Sequence, residues 1–210
     1  LQERFRKTLE DNLALHVTQL KSELESQVGE SERRLKEINR ILDLIPWEGQ
    51  QVIHILPRAN PLIEIRQFKE LLSNASAPLL APTTEQKLSA FAAVKELIAF
   101  LADENVRKMV LDARHWQLFA VELRDLSVED ATKQRRLYIE HTDGLSGGQK
   151  NKLSVTLLAS ALAFQYDIAG TRATPGTFRT VIIDEAFARL DSENARYALE
   201  LFKKFDFQLV

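Results

Sequence analysis

Two short segments hold the residues whose types and spacing could do chemistry. The first, GLSGGQKNKL at 144–153, places Leu145, Ser146, Gly147, Gly148 and Gln149 where a loop enters a helix. The opening turn of a helix has amides without intrahelical partners and lies at the positive end of the helix dipole, so it attracts anions. Glycine lets the backbone approach a phosphate closely, and Ser146 adds a hydroxyl donor. The second segment, TVIIDEAFARLD at 180–191, is a short apolar run ending in Asp184 and Glu185. Such a run delivers its last residues to the C-terminal edge of a sheet, where open α/β sheets bind ligands. A carboxylate there can hold Mg²⁺, usually through water. Glu185 is then placed to orient or deprotonate an attacking water. Each feature also has an ordinary reading: Ser146 as a helix N-cap, Asp184 and Glu185 as a solvated pair, Asp191 as the N-cap of a helix beginning at Ser192. The two segments stand together, with 38 residues from Ser146 to Asp184, and that pairing argues against the ordinary readings.

A phosphate-cradling loop would complete such a site, and the 210 residues contain none. It needs two glycines five apart, the second followed by Lys and then Ser or Thr. The glycines are Gly29, Gly49, Gly144, Gly147, Gly148, Gly170 and Gly176; no two have that spacing and none precedes a lysine.

Composition bounds the partners. A hydrophobic share of 45% and a charged share of 28% are ordinary for a globular chain. A net charge of −2 gives no overall attraction to nucleic acid, so DNA contact requires a local patch. The absence of cysteine excludes disulfides and thiolate metal sites and fits a reducing cytosol. His16, His54, His115 and His141 show no ligand spacing. No apolar run is long enough to span a bilayer. The chain opens at Leu1 inside a helical pattern and closes on FDFQLV, the start of a strand, which predicts a segment of a longer protein.

The elements that must position these residues follow from periodicity. Residues 1–45 predict one long helix, with a seven-residue seam of Val17, Leu24, Ser31, Ile38 and Ile45 beside Val28, Leu35 and Leu42. Leu9, Leu13 and Leu20 imply a stutter in it. The seam suits a coiled-coil arm or an amphipathic helix on a globular core. Pro46 ends it. Residues 46–84 predict a Pro-rich connector, with a strand near Val52 to Leu56, a short helix at 62–72 and a loop at 73–84. Residues 85–107 return to helical spacing, with Leu88, Phe91, Val94, Leu97, Ile98 and Leu101 on one face. A hairpin is expected over 116–141, its first strand carrying one apolar face of Phe119, Val121 and Leu123. The helix from Gly148 to about Tyr166 is apolar nearly all round and predicts burial, while Lys150 and Lys152 read as solvated charges. A loop at 167–178 leads to a parallel strand at 180–184 covered on both faces. A helix at 192–205 should turn Leu199, Leu201, Phe202 and Phe205 inward, and a last strand starts at Phe207. The alternation argues an α/β fold. The expected domains are an arm helix at 1–45, the connector at 46–84 and a lobe with both motifs at 85–210.

The wording of these motifs resembles the ABC-type ATPases. GLSGGQK matches their signature, and VIIDEAFARLD their Walker B strand with the catalytic carboxylate and D-loop. The DEAF and LD wording, and Lys150 after the signature, are similar to the SMC and SbcC branch. There an N-terminal segment brings Walker A, a long coiled coil intervenes, and a C-terminal segment brings signature and Walker B. The resemblance implies a P-loop NTPase fold and this C-terminal lobe, with ATP and Mg²⁺ as ligands. It implies Glu185 as the catalytic carboxylate, Asp184 on the metal and Asp191 in the D-loop. Leu145 to Gln149 would contact ATP held by a second head. The partners implied are the Walker A half, a second head and DNA. VLDARHWQLFAVELRD with GLSGGQKNKLSVTLLASALAFQY is similar to the MukB-like bacterial SMC proteins of the MksB and JetC kind, over roughly 85–210. That implies a cytoplasmic, nucleoid-associated DNA motor of chromosome organisation or plasmid defence. A kleisin, a winged-helix subunit and, for JetC, a nuclease would be its partners, with no membrane. Walker A, the Q-loop and the switch histidine of the family lie outside this sequence. Competing readings are an SbcC-like ATPase governing a repair nuclease, a non-hydrolysing scaffold, and, least compatible with the missing Walker A, a transporter subunit.

Overall fold

The Pro-free N-terminal stretch forms a single helix, α1 (Gln2–Leu42), that stops ahead of Pro46. The computed structural model describes residues 2–76, 84–127, 137–139, 142–166, 179–183 and 191–210. The chain divides into two units, one of Leu1–Ser31 and Arg58–Leu118, the other of Glu32–Pro57 and Phe119–Val210. No helix among the described residues is long and apolar enough to cross a membrane.

The first unit is helical. Besides the start of α1 it holds α2 (Ile63–Ser76), α3 (Thr84–Phe100), α4 (Glu104–Val110) and a 3-10 turn at Ala113–Trp116. Ile65, Phe68, Leu72 and Ala75 recur at three- and four-residue steps, so α2 buries one face. They pack with Val17, Leu24, Val94, Leu97, Val110 and Trp116. Trp116 stands edge-on to Phe68 at 6.1 Å, and its indole N–H donates to the Val110 carbonyl at 2.8 Å. Asp103 caps α4 by accepting from the amides of Asn105 and Val106. Asp112 accepts from Arg114, and this pair holds its carboxyl down at about 2.

The second unit carries both motif segments. Its sheet is built from β1 (Gln51–Ala59), β2 (Gln117–Asp125) and β3 (Leu137–Ile139), in the order β1-β2-β3, the last two residues of β1 and the first two of β2 belonging to the first unit. The N–H of Leu126 donates to Gln50 at one end and that of Asn60 to Trp116 at the other, so β1 and β2 run antiparallel. β2 pairs antiparallel with β3 in the register Val121–Ile139 and Leu123–Leu137, the expected hairpin. Then come α5 (Gly147–Gln165), β4 (Thr180–Val181), α6 (Ser192–Lys204) and β5 (Gln208–Leu209). β4 and β5 run parallel and enclose α6 between them, the strand–helix–strand order the α/β reading requires. The core gathers Leu35, Ile38, Leu42 and Ile45 with Trp47, Ile53, Leu153, Tyr197, Leu201, Phe202 and Phe205.

Several expectations are corrected. The seam of α1 is covered by its own chain: Val17 and Leu24 lie in the first core, Leu35, Ile38 and Leu42 in the second. From Val17 onward the buried seam residues thus pack on cores of the same chain. α2 runs on to Ser76, into the expected loop. α5 is not buried all round. Its inner face carries Lys152, Thr156 and Ser160 with Leu153, Ala159 and Ala163, while Leu157 and Leu158 face out. The inner polar groups are retained because most find partners there; Lys152, expected in solvent, is buried. On β2, Phe119 is exposed and Glu122 is wholly buried, where it accepts from Arg124 Nε at 2.7 Å. On α6, Leu199 faces out, because the inward spacing runs through Asn194, Tyr197, Ala198, Leu201 and Phe202. Ile182, beyond β4, is 79% exposed instead of covered. The rest of the loop at 73–84, the turn before β3, the loop at 167–178 and the side chains of Leu9, Leu88 and Phe91 lie outside the described residues.

Candidate active site

α5 begins where the sequence places an anion-binding helix start. Ser146 is its N-cap, extended at φ −63° and ψ 162°. Its Oγ accepts from the Gln149 amide at 3.2 Å, and Gln149 Oε1 accepts from the Ser146 amide at 2.9 Å. This reciprocal capping box is readable in the S-x-x-Q spacing. It locks the loop-to-helix corner. Among the described residues the Ser146 hydroxyl accepts one bond and donates none, which leaves its proton for a ligand. Ser146 and Gly147 are exposed, while Leu145, Gly148 and Gln149 are half-buried. The amides of Gly147 and Gly148 have no acceptor among the described residues.

Behind this corner stands the start of α6. Asp191 is its N-cap, accepting from the Asn194 amide at 2.8 Å and from Asn194 Nδ2 at 2.7 Å. A Cβ on Gly148 would lie 3.0 Å from Asn194 Nδ2 and 3.8 Å from Asp191 Oδ2. The second signature glycine is thus the point where α5 and the Asp191 corner touch, and a side chain would crowd it. At Gly147 the same test meets open space. Sequence reasoning named Asp191 but missed Asn194, whose place three residues after the cap was the available signal.

Other residues hold α5 from beneath. Lys152 Nζ donates to the Trp47 carbonyl at 2.7 Å and lies 4.8 Å from the centre of the Tyr197 ring. Thr156 donates its hydroxyl to the Lys152 carbonyl at 2.8 Å. A hydroxyl has one proton, so at 2.8 Å the Tyr197 hydroxyl is the donor to Thr156 Oγ. Burial pushes the Tyr197 phenol up to about 12. Gln149 Nε2 donates to Glu48 Oε1 at 2.9 Å. Trp47 and Glu48 belong to the turn after α1, where Gly49 at φ +57° permits the reversal. No sequence pattern singled out Trp47 and Glu48, which are distant from the motifs along the chain, or Tyr197, six residues past Asp191.

The apolar lead of the second motif forms β4, and the Ile183 amide donates to the Val210 carbonyl beside it. Asp184 and Glu185 lie outside the described residues. Among the described residues no cluster of His, Cys, Asp and Glu could hold a metal ion.

Residues 108–204 match the family model described as SbcC/RAD50-like, Walker B motif. The matched stretch takes in α5, β4 and α6 to its last residue. It supports the C-terminal region of an SMC/SbcC-like ATPase, with P-loop ATP-hydrolysing chemistry. No curated protein matches the chain.

Proposed function

We propose that this chain is the signature and Walker B half of an ATPase head in an SMC-like DNA motor, of chromosome organisation or plasmid defence. The observation that carries the reading is the start of α5, where exposed Ser146 and Gly147 face outward and Gly148 is backed by Asp191 and Asn194. Such a corner suits the γ-phosphate of ATP: two amides and one hydroxyl donate, and the helix dipole favours the charge. Leu145 and Gln149 flank it and keep its shape. The ATP is held by the Walker A half of another head, so two heads engage around each nucleotide.

On its own head's nucleotide, Asp184 would hold Mg²⁺, which would supply positive charge against the phosphates. Glu185 orients the attacking water and takes its proton. The water oxygen bonds to the γ-phosphorus, the bond to the β-phosphate oxygen breaks, and ADP and phosphate leave. Asp191, between its own α6 and the signature corner, links the two sites of the engaged pair. α1 serves as the base of an arm. The partners are the Walker A half of the protein, a second head, DNA, a kleisin and a winged-helix subunit, with a nuclease subunit by likeness to the JetC kind. A second reading, an SbcC-like ATPase governing a repair nuclease, is favoured by the matched family description.

The test is ATP hydrolysis by the full-length protein and its Glu185→Gln variant, with and without DNA. Loss of turnover in the variant with ATP-dependent engagement retained is expected. Wild-type turnover in the variant overturns the role of Glu185. Stimulation by circular plasmid supports the motor, and stimulation confined to linear ends supports the second reading.

A further inference from the structure

Lys152 is the charged side chain buried on the inner face of α5. It is 7% exposed, and it lies in the second turn of the signature helix. A lysine ammonium taken out of water is costly, and an apolar residue would pack this helix against α6 without that penalty. Its surroundings are built to hold it. Its Nζ donates to the Trp47 carbonyl at 2.7 Å, faces the Tyr197 ring at 4.8 Å and the Trp47 ring at 5.7 Å, and has Glu193 Oε1 at 3.8 Å. Trp47 and Tyr197 meet edge-on at 6.3 Å, forming two walls of the notch. One ammonium therefore ties together the turn after α1, the signature helix and the helix capped by Asp191.

A second tether runs in parallel. Gln149, three residues earlier and on the same face of α5, donates Nε2 to Glu48 Oε1 at 2.9 Å while its Oε1 closes the capping box on Ser146. Adjacent residues of the turn, Trp47 and Glu48, thus each grip one of the first two turns of α5. Two grips on one face fix both the position of the helix start and its rotation about its axis.

We infer that Lys152 and Glu48 are positioning residues of the signature: through Trp47 and Gln149 they hold the α5 start at the angle from which Ser146 and Gly148 meet the nucleotide of the opposing head. The inference rests on the function proposed above. It separates two events. ATP binding by a head's own Walker A half does not use this clamp, whereas engagement of two heads and turnover do.

The test uses the full-length protein with Lys152→Met, which keeps the length and packing of the chain without its donor, and Glu48→Ala, which changes an exposed side chain. The readouts are ATP affinity with heads dilute, the head concentration giving half-maximal engagement, kcat and Tm. Loss of a charge-assisted hydrogen bond is worth on the order of a tenfold change. Lys152→Met is expected to raise the half-maximal engagement concentration and lower kcat by about tenfold each, with dilute-head ATP affinity unchanged. Glu48→Ala is expected to shift the same two quantities about threefold with Tm unchanged, and Glu48→Gln, which keeps an acceptor oxygen, to restore them. Unchanged engagement and kcat in both Lys152→Met and Glu48→Ala overturn the inference, as does an ATP affinity that falls in step with engagement in Glu48→Ala. If wild-type protein itself hydrolyses no ATP, the proposed function fails instead.

Discussion

The two signature glycines should part company under the same substitution. Gly147→Ala puts a methyl into open space at the first helical position. Replacing glycine in a compatible helical conformation stabilises by about 0.5–1 kcal/mol, chiefly by restricting the unfolded chain. Gly148→Ala puts its Cβ 3.0 Å from Asn194 Nδ2, a contact relieved only if that group gives by a few tenths of an ångström. Asn194 is buried, its amide nitrogen is bonded to Asp191 Oδ2 at 2.7 Å and its backbone to Oδ1 at 2.8 Å. Displacing it weakens a charge-assisted bond worth about 1.5–3 kcal/mol, which outweighs the helical gain. Gly148→Ala is expected to be destabilised by about 1 kcal/mol and to lie about 2 kcal/mol below Gly147→Ala. For a chain of 210 residues that difference corresponds to about 4–8 °C in Tm, measured by thermal unfolding of the two variants beside the wild type. ATP hydrolysis is measured in parallel and should fall in both, because either methyl stands where the backbone approaches phosphate. If Gly148→Ala is as stable as Gly147→Ala, the contact between α5 and the Asp191 corner does not constrain this glycine.

Three other outcomes are expected. Burial raises the Tyr197 phenol from about 10 to about 12, so its contribution is fully present below pH 10 and is lost as pH rises to 12. The window is worth at most about 3 kcal/mol, and Tyr197→Phe should flatten the alkaline stability curve there. Asp191→Ala removes the α6 cap and releases Asn194; it should lower stability by about 1–2 kcal/mol by urea unfolding and reduce ATP turnover. Phe68→Ala, at a side chain fully buried against Trp116, should cost about 3–5 kcal/mol and speed hydrogen exchange across α2 and α4.

The sequence by itself determined what is local. The corner at Ser146 is a short-range device, since a serine cap, two glycines and a glutamine three residues on close a hydrogen-bonded ring without help from elsewhere. Asp191 as a cap and the β2–β3 hairpin follow from the same short-range rules. The break at Pro46 does too, because proline bars helix continuation whatever surrounds it. Only the tertiary structure decided which faces were inside. Along α5 apolar residues occupy nearly every direction, so periodicity could not choose among them. The choice fell to Trp47 and Tyr197, whose carbonyl and ring accept an ammonium and turn Lys152 inward and Leu157 outward. The seam of α1 was legible as a stripe, but its heptad spacing is the same whether the cover is a partner strand or the chain's own helices and sheet. Burial of Glu122 was equally invisible: its bond with Arg124, two residues along the same strand, is local, but which face of β2 turned inward was decided by the packing around it. Bonds that close within four residues are written in the sequence, whereas those between Glu48 and Gln149, or Lys152 and Trp47, exist only once the intervening hundred residues have folded.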